Sequence, residues 1–439
     1  MAAVWAGSGC VAAAAAAPAG VTSAPDDPAF RQGQQWGLVQ AGFPSAWCRS
    51  TGLGALIVVI DTGVYSGHPD LAGKLVGEAD VHQGTVTAGP GTAADDSGHG
   101  THVAGIAAAA TGNGVGIAGA APDAKLYAIK VLFAGSGTRD QGTHADLVQA
   151  IDYVVSSVAP SWPGPVVVNI SIGAADPTAS PDAAGPSDAD IDGAIERADA
   201  AGLAVSVAAG NVGTSGIGSA AVSSGAALSV GALDRDGAVA PYSPSSGVSI
   251  FAPGGASSGG DRYTGTGILS TWLHSPSGDY AWMAGTSMAA PHVSGALALL
   301  MSTGMSNRQA YARLLSTADA QRRMHVDAAV GATGPCGAAA AAGPVRAAAP
   351  PSRSSRLPLA ASAGAPQPAA ASSAAPSPAL ASASPAVHVG LPVTGGGVAA
   401  AATVGRGHRL LTPLALGLSA TVVVWFVLPR RLFRRLLSG

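Results

Sequence analysis

The chain has 439 residues, a formal net charge of −3 and few charged residues, 11% against about 25% in average soluble proteins. This balance, without a basic patch interleaved with aromatic residues, gives no support for nucleic-acid binding. The three cysteines, at positions 10, 48 and 336, are too few for a disulfide scaffold and too scattered for a zinc site.

Residues 1–24 are small and apolar, which predicts a secretory signal peptide, although the positively charged start of such signals is absent. A folded domain is predicted to follow over residues 25–336. Cys48 and Cys336 lie near the two ends of this domain. Export would allow them to pair, and the sequence leaves open whether they do so or remain separate buried thiols.

Within the domain, short apolar runs rich in β-branched residues alternate with alanine-rich stretches of helical pattern. Strands are predicted at residues 55–60, 125–131, 166–172, 203–208 and 227–230. Helices are predicted at residues 99–110, 142–157 and 188–201. Continuous apolar strands separated by helices indicate a parallel sheet covered on both faces. The predicted fold class is therefore α/β, with three α/β/α layers around a mostly parallel central sheet.

The composition changes after position 336. Residues 337–390 are mostly Ala, Pro and Ser, which predicts a disordered linker. Residues 410–428 are predominantly apolar and would span about 28 Å as a helix, close to the ~30 Å hydrocarbon core of a membrane. The arginine-rich tail at 429–439 predicts a cytoplasmic end, which would place the folded domain outside the cell.

The segment LPVTG at 391–395 resembles the LPxTG signal that sortases cleave to attach proteins to peptidoglycan. Residues 396–409 separate this segment from the apolar run, a longer spacing than is usual. Sortase attachment and simple membrane anchoring therefore both stay open.

Three chemically important residues in the folded region are framed by small ones: Asp61 in DTG, His99 in HGTH and Ser287 in GTSMAAPH. A serine hydroxyl is a weak nucleophile near neutral pH and needs a base, which in turn needs a group to orient it. The order Asp, His, Ser is one of three unrelated orders in which such a triad occurs. Asp61 also follows directly after a predicted strand, at the edge where α/β sheets bind ligands. The set indicates a serine protease.

A helix is predicted at residues 288–301, with Pro291 in its first turn, where proline is tolerated. Ser287 would then lie at the helix N-terminus, where the helix dipole favours a developing negative charge. An N-capping serine would explain this position, but not the rest of the set.

These motifs resemble the subtilisin-like proteases, in particular their thermitase-like branch, over about residues 26–329. The resemblance rests on six segments in the same order: QWG at 35–37, VVIDTGV at 58–64, HGTHVAG at 99–105, VNISIG at 168–173, AAGN at 208–211 and GTS at 285–287. It implies an endopeptidase that hydrolyses protein or peptide substrates through an acyl-enzyme.

The resemblance assigns a role to each candidate catalytic residue. Ser287 is implied as the nucleophile and His99 as the general base, with Asp61 orienting the imidazole. Asn211 is implied as the oxyanion-hole donor, together with the backbone N–H of Ser287.

Other polar residues near these motifs are given structural positions by the same resemblance. His102 is the rival to His99 within the motif, and it is implied to be a packed structural histidine, as are His68 and His292. Asp95 and Asp96 are implied to belong to the loop before the His99 helix.

Substrate is expected to bind as an extra β-strand. Its partner on one side would be the segment Ser171, Ile172 and Gly173. The walls of the primary pocket are expected to include Ala208, Ala209 and Gly210. Because these residues are small and uncharged, the favoured residue before the scissile bond is expected to be apolar and fairly large.

The resemblance also implies a structural calcium ion, since carboxylate, amide and carbonyl oxygens together suit Ca²⁺. The expected ligands are Asp27, Asp70, Thr111, Asn113, Val115 and Ile117. An ordinary glycine-rich turn is the alternative for the loop at 111–117.

The sequence thus predicts an exported endopeptidase, anchored on the outer face of the cell envelope through the membrane or the cell wall. One alternative is a catalytically inactive relative that binds proteins, against which the complete set of four catalytic residues argues. Another is a mycosin-like protease, but the HGTHVAG segment is more typical of general secreted subtilisins. Residues 1–25 leave little room for the family's usual folding propeptide. Either the assigned start lies too far downstream or the domain folds without one.

Overall fold

The computed structural model describes residues 25–134, 140–172, 188–211, 222–256, 265–275 and 278–332. The strands are β1 (Leu56–Asp61), β2 (Leu75–His82), β3 (Thr85–Ala88), β4 (Lys125–Lys130), β5 (Phe133–Ala134), β6 (Asp140–Gln141), β7 (Val166–Ile170), β8 (Ala204–Ala208), β9 (Leu228–Leu233), β10 (Ile250–Pro253), β11 (Ile268–Thr271) and β12 (Tyr280–Met283).

Eight of these strands form the central sheet in the order β10-β9-β8-β7-β1-β4-β2-β3. All neighbours in it are parallel except β2 and β3, so the predicted mostly parallel sheet is confirmed. The pairs β5–β6 and β11–β12 are antiparallel. The strand order changes direction beside β1, and such a switch point is where open α/β sheets bind ligands.

The α-helices are α1 (Pro28–Arg31), α2 (Trp36–Gln40), α3 (Phe43–Ala46), α4 (His99–Ala108), α5 (His144–Tyr153), α6 (Ala159–Ser161), α7 (Asp188–Ala200), α8 (Thr286–Met301), α9 (Asn307–Thr317) and α10 (Val326–Val330). A 3₁₀ turn covers Pro69–Leu71, and α5 runs on into a π-helical turn at Val154–Val158.

The two faces of the sheet are covered by different helices, which gives three layers. Ile57 and Val59 of β1 belong to a core that includes residues of α4 and α8. Leu56, Val58 and Ile60 face the other way, into a core with α5 and α7. Since all of these β1 side chains are buried, the strand appears in the sequence as one continuous apolar run rather than an alternating one.

The structure departs from the sequence prediction at α8. This helix begins at Thr286, two residues earlier than predicted, and every one of its residues is buried. Pro291 is therefore the sixth helical residue and lies beyond the first turn. Because proline has no N–H, the helix lacks the hydrogen bond that residue 291 would donate to the carbonyl of Ser287.

Several predicted features lie outside the described residues. They are the signal peptide at 1–24, Cys10, Gly173, Cys336, the linker at 337–390, the LPVTG segment at 391–395, the apolar run at 410–428 and the basic tail at 429–439. Cys48 is described and is disulfide-bonded. Within the described ranges, no helix combines the length and apolar character needed to cross a membrane.

Candidate active site

His99 and Asp61 are brought together at the carboxyl edge of the sheet. Asp61 is the last residue of β1 and is fully buried, while His99 is the first residue of α4. The imidazole Nδ1 of His99 lies 2.7 Å from Oδ1 of Asp61, and the backbone N–H of Thr62 donates to the same oxygen at 2.8 Å. A proton on Nδ1 satisfies the carboxylate, which leaves Nε2 as the basic nitrogen of a neutral ring.

Glycine at position 100 permits this close approach of α4 to β1. A Cβ on Gly100 would lie 2.1 Å from the carbonyl oxygen of Gly63 and 3.1 Å from Cβ of Asp61. The backbone N–H of Gly100 also donates to Oγ1 of Thr62 at 2.9 Å. The first turn of α4 is thus bound directly to the end of β1.

Asp95 holds the start of α4 through both of its carboxylate oxygens. Oδ1 accepts from the hydroxyl of Thr62 at 2.8 Å and from the backbone N–H of Gly98 at 2.9 Å. Oδ2 accepts from the backbone N–H and the hydroxyl of Thr101 at 2.9 and 2.5 Å. Helix starts expose unpaired N–H groups, and a carboxylate there both pairs with them and complements the helix dipole. Asp96 instead pairs with the ammonium of Lys130 at 2.7 Å.

Ser287 is the second residue of α8, next to the end of β7. Its hydroxyl donates to the carbonyl oxygen of Ser171 at 2.9 Å, and the Ser171 hydroxyl donates to the carbonyl oxygen of Ser287 at 2.9 Å. Ser287 is 8% exposed, so the described residues do not enclose it completely. The backbone N–H of Ser287 belongs to the first turn of α8, where no helical carbonyl lies four residues earlier to accept it.

Asn211 follows β8 and is oriented by Thr286, the residue before Ser287. Its Oδ1 accepts from the backbone N–H of Thr286 at 2.9 Å and from the Thr286 hydroxyl at 3.1 Å. The backbone N–H of Gly210 in turn donates to the same hydroxyl at 3.1 Å. With its oxygen engaged, Asn211 has its exposed amide N–H groups available to an oxyanion.

The other histidines near the motifs are engaged in packing. Burial lowers the pKa of His102 to about 3 and that of His292 to about 4, so both rings are neutral near pH 7. Nε2 of His102 lies 3.1 and 3.0 Å from two backbone carbonyl oxygens, and Nδ1 of His292 lies 2.9 Å from a third. Burial also lowers the pKa of His68, whose Nδ1 accepts from the backbone N–H of Asp70.

The described residues of the predicted substrate-binding segments lie at the carboxyl ends of β7 and β8. Ser171 is buried and Ile172 is half-buried directly after β7. Ala208 ends β8 within the main core, whereas Ala209 packs with Leu233 and other residues of a small separate cluster. Gly210 has a φ of +97°, a left-handed conformation that favours glycine and allows the chain to turn sharply before Asn211.

The predicted calcium ligands lie around the loop at 111–117. Asp27 and Asp70 are both fully buried, and burial is the main reason that the pKa of each carboxyl is raised. Asp27 accepts from the backbone N–H of Gly112, while Asp70 accepts from the amide of Asn113 at 2.9 Å and the hydroxyl of Tyr280 at 3.0 Å.

Three carbonyl oxygens of this loop complete the predicted set. They receive no hydrogen bond from any described residue and belong to Thr111, Val115 and Ile117. No group of three or more His, Cys, Asp or Glu side chains suited to a metal occurs among the described residues, and the predicted set has only two.

A group of buried polar residues beside Ser287 was not anticipated from the sequence. In the sequence, Asn169 belongs to the VNISIG segment, and Ser206 and Ser294 lie within apolar runs. The one signal was the spacing of Ser287 and Pro291, four residues apart, since it leaves the Ser287 carbonyl without its helical donor.

Comparison with known proteins identifies a family over most of the predicted folded domain. The subtilase family model matches residues 52–333. Thermitase from Thermoactinomyces vulgaris is 36% identical over 298 residues, 67% of this chain and 91% of thermitase. Proteinase T from Parengyodontium album is 33% identical over 284 residues, 63% of this chain and 83% of that protein. A solved protease structure from Pseudoalteromonas arctica superposes with a TM-score of 0.58 at 30% identity, covering 71% of this chain and 99% of its own.

Proposed function

Because this chain belongs to the subtilase family of serine endopeptidases, we propose that it cleaves peptide bonds through an acyl-enzyme formed on Ser287. The hydroxyl of Ser287 attacks the scissile carbonyl carbon, and Nε2 of His99 takes its proton. To reach that nitrogen, the hydroxyl must rotate away from the Ser171 carbonyl, its partner in the free enzyme. Such rearrangement on substrate binding is ordinary for catalytic hydrogen bonds.

Asp61 and Asn211 stabilise the charges that develop in this step. The carboxylate of Asp61 holds the His99 tautomer and stabilises the imidazolium. The amide of Asn211 and the backbone N–H of Ser287 donate to the oxyanion of the tetrahedral intermediate. His99 then returns the proton to the leaving amine, and water hydrolyses the acyl-enzyme by the same route in reverse.

The observation that carries this assignment is the 2.7 Å hydrogen bond between His99 and the buried Asp61. Fluorophosphonate labelling of the full chain tests it, because this probe phosphonylates only an activated serine. We expect labelling of the wild type and none of Ser287→Ala. A folded wild type that is not labelled would overturn the proposal and favour a protein-binding subtilase without activity.

We propose that substrate pairs its backbone with the segment 171–173 and places an apolar side chain in the primary pocket. Ser171 and Ile172 directly follow β7 at the carboxyl edge, which suits strand addition. The small residues at 208–210 provide no charge to pair with a basic substrate. We expect a higher kcat/KM for a peptide p-nitroanilide with Phe before the scissile bond than for its Lys analogue.

We propose that the loop at 111–117 binds a structural calcium ion. Two buried carboxylates, Asp27 and Asp70, repel each other there, and the loop carbonyls described above are free to act as ligands. The amide of Asn113 would have to present its oxygen rather than its nitrogen to the ion. These residues fit Ca²⁺ chemically, and the ion would stabilise the loop rather than take part in catalysis.

We further propose that the enzyme is exported and attached to the cell envelope. The disulfide at Cys48 favours an oxidising compartment outside the cytoplasm, in keeping with the signal-like residues 1–24. The LPVTG segment and the apolar run at 410–428 would provide, respectively, a sortase substrate joined to peptidoglycan and a membrane anchor.

Fractionation of cells that produce the full chain tests this proposal. With sortase attachment, the wild type is released by cell-wall digestion, and Thr394→Ala moves it to the membrane fraction. If both proteins stay in the membrane, simple anchoring is correct. Recovery of the wild type in the cytoplasm would overturn export.

A further inference from the structure

The carbonyl of Ser287 has a hydrogen-bond requirement that its own helix does not meet. In an α-helix this carbonyl would accept from the N–H of residue 291, which is a proline. The hydroxyl of Ser171 donates to it instead, at 2.9 Å. A side chain from the end of β7 therefore takes the place of a helical hydrogen bond at the residue that carries the nucleophile.

The Ser171 hydroxyl is in turn fixed by a network of hydrogen bonds between buried polar side chains. Nδ2 of Asn169 donates to Oγ of Ser171 at 2.9 Å, and Oδ1 of Asn169 accepts from the hydroxyl of Ser294 at 2.9 Å. The hydroxyls of Ser294 and Ser206 lie 2.7 Å apart. Oγ of Ser206 is also 3.2 Å from the carbonyl oxygen of Ala290. The network thus joins β7, β8 and two turns of α8.

The protons available in this network can be counted, and they show that all of its hydrogen bonds are donated in one direction. Each hydroxyl has a single proton. Ser294 uses its proton on Asn169, so the proton in the 2.7 Å contact comes from Ser206. The Ala290 carbonyl, at 3.2 Å, is a second and more distant acceptor for the same Ser206 proton. Protons then point from Ser206 through Ser294, Asn169 and Ser171 to the Ser287 carbonyl. Hydrogen bonds aligned in this way polarise and strengthen one another.

Every side chain of this network is buried, and burial constrains the positions of all of them. Ser206, Ser294 and Asn169 are 0% exposed and Ser171 is 2% exposed. A buried polar group without a partner is costly, so no member can turn away without destabilising its neighbours. The amide of Asn169 is central because only it both donates toward Ser171 and accepts from α8.

We propose that Asn169 is a positioning residue for the nucleophile. It touches no reacting atom and acts through Ser171, whose hydroxyl holds the Ser287 carbonyl and whose own carbonyl accepts the Ser287 hydroxyl. Asn169 thereby sets the distance between the nucleophile and the segment proposed to bind substrate. This inference rests on the proposed role of Ser287.

The test compares the full-length wild type with Asn169→Ala and Ser294→Ala. We expect Asn169→Ala to lower kcat by about 10- to 100-fold, because small displacements at a reacting centre can cost about 100-fold. Ser294→Ala, one bond further away, should lower kcat by a smaller factor. KM should stay within about twofold in both, because Asn169 bonds the side chain of Ser171 and not the backbone that is proposed to pair with substrate.

Ser50→Ala is the matched control for loss of a buried serine. The hydroxyl of Ser50 donates to the carbonyl of Leu299 at the far end of α8, at 2.8 Å, and Ser50 is also 0% exposed. A kcat loss in Asn169→Ala and Ser294→Ala, but not in Ser50→Ala, at comparable thermal stability, supports positioning. An unchanged kcat in the folded variants, or an equal loss in Ser50→Ala, overturns it. If Asn169→Ala does not fold, the comparison of Ser294→Ala with Ser50→Ala decides.

Ser287→Ala separates failure of this inference from failure of the proposed function. Activity that persists in Ser287→Ala overturns the assignment of the nucleophile, and with it the positioning role. Activity lost in Ser287→Ala but unchanged in folded Asn169→Ala overturns the positioning role alone.

Discussion

Oδ1 of Asp61 accepts two hydrogen bonds, one from His99 at 2.7 Å and one from the backbone N–H of Thr62 at 2.8 Å. The second bond fixes the carboxylate independently of the imidazole. Among the described residues, the buried Oδ2 of Asp61 has no partner. The charge of Asp61 is therefore directed at His99, as stabilisation of an imidazolium requires.

Asp61→Asn should lower kcat by about 10⁴-fold with the fold intact, because an amide can present an N–H and favour the wrong imidazole tautomer. Steady-state hydrolysis of a peptide p-nitroanilide, together with circular dichroism, checks this. A loss below tenfold in a folded protein would show that His99 does not depend on Asp61. Asp96→Asn is a control, since Asp96 pairs with Lys130 rather than with His99.

Asn211→Ala should lower kcat by about 10²- to 10³-fold with little change in KM, because the amide donates to an oxyanion present only after attack. Thr286→Val should produce a smaller loss, since it removes only the hydroxyl that donates to Asn211 and leaves the backbone N–H donor. Both variants are checked by steady-state kinetics. A rise in KM at constant kcat would instead assign Asn211 to substrate binding.

Gly100→Ala should lower kcat/KM by at least about 100-fold, because its Cβ would lie 2.1 Å from the Gly63 carbonyl and force α4 away from Asp61. Gly193→Ala in α7 is the matched control. A Cβ there meets only the end of the Arg197 side chain, at 3.5 Å, and should stabilise the helix by about 0.5–1 kcal/mol. Kinetics and thermal melts of both variants check this, and full activity of Gly100→Ala would contradict it.

The layers of the fold could be predicted because the buried parallel strands are unbroken apolar runs. The prediction of residues 55–60 differs from β1 (Leu56–Asp61) by one residue at each end. β2 (Leu75–His82) was not predicted, since as a partly exposed strand it contains Glu78, Asp80 and a glycine among its apolar residues. The predicted start of α8 was two residues too late, because the prediction placed Pro291 in the first turn of the helix.

The meeting of Asp61 and His99 could be predicted because of where the two residues lie in the fold. Asp61 and His99 lie at ends of elements, and the carboxyl edge of a parallel sheet brings such ends together. The contact between Ser206 and Ser294 depends on how α8 packs over β8, 88 residues away in the chain. No local pattern encodes that register, so these serines could be read from the sequence only as core positions.

Removal of calcium should lower the melting temperature of the full chain. An ion held at about 100 times its Kd contributes about 2.7 kcal/mol, which corresponds to about 5–10 °C for a domain of this size. Melts in excess Ca²⁺ and in excess chelator check this, and Asp70→Asn should reduce the difference between them. Equal melting temperatures in both conditions would contradict a structural ion.

Without metal, acidification should stabilise the fold through Asp27 and Asp70. Burial raises the pKa of both carboxyls above their unfolded value of 3.8, so the folded state binds protons more tightly than the unfolded state. This contribution is fully present below pH 3.8 and is lost as the pH rises through the raised folded pKa values. In chelator, the free energy of unfolding should therefore fall with rising pH, relative to the Asp27→Asn/Asp70→Asn double variant.

Bound Ca²⁺ favours the charged carboxylates. With Ca²⁺, the free energy of unfolding of the wild type, relative to the double variant, should therefore rise with rising pH. Urea unfolding at several pH values, with and without Ca²⁺, measures both slopes, and parallel curves for the two proteins in chelator would contradict the prediction.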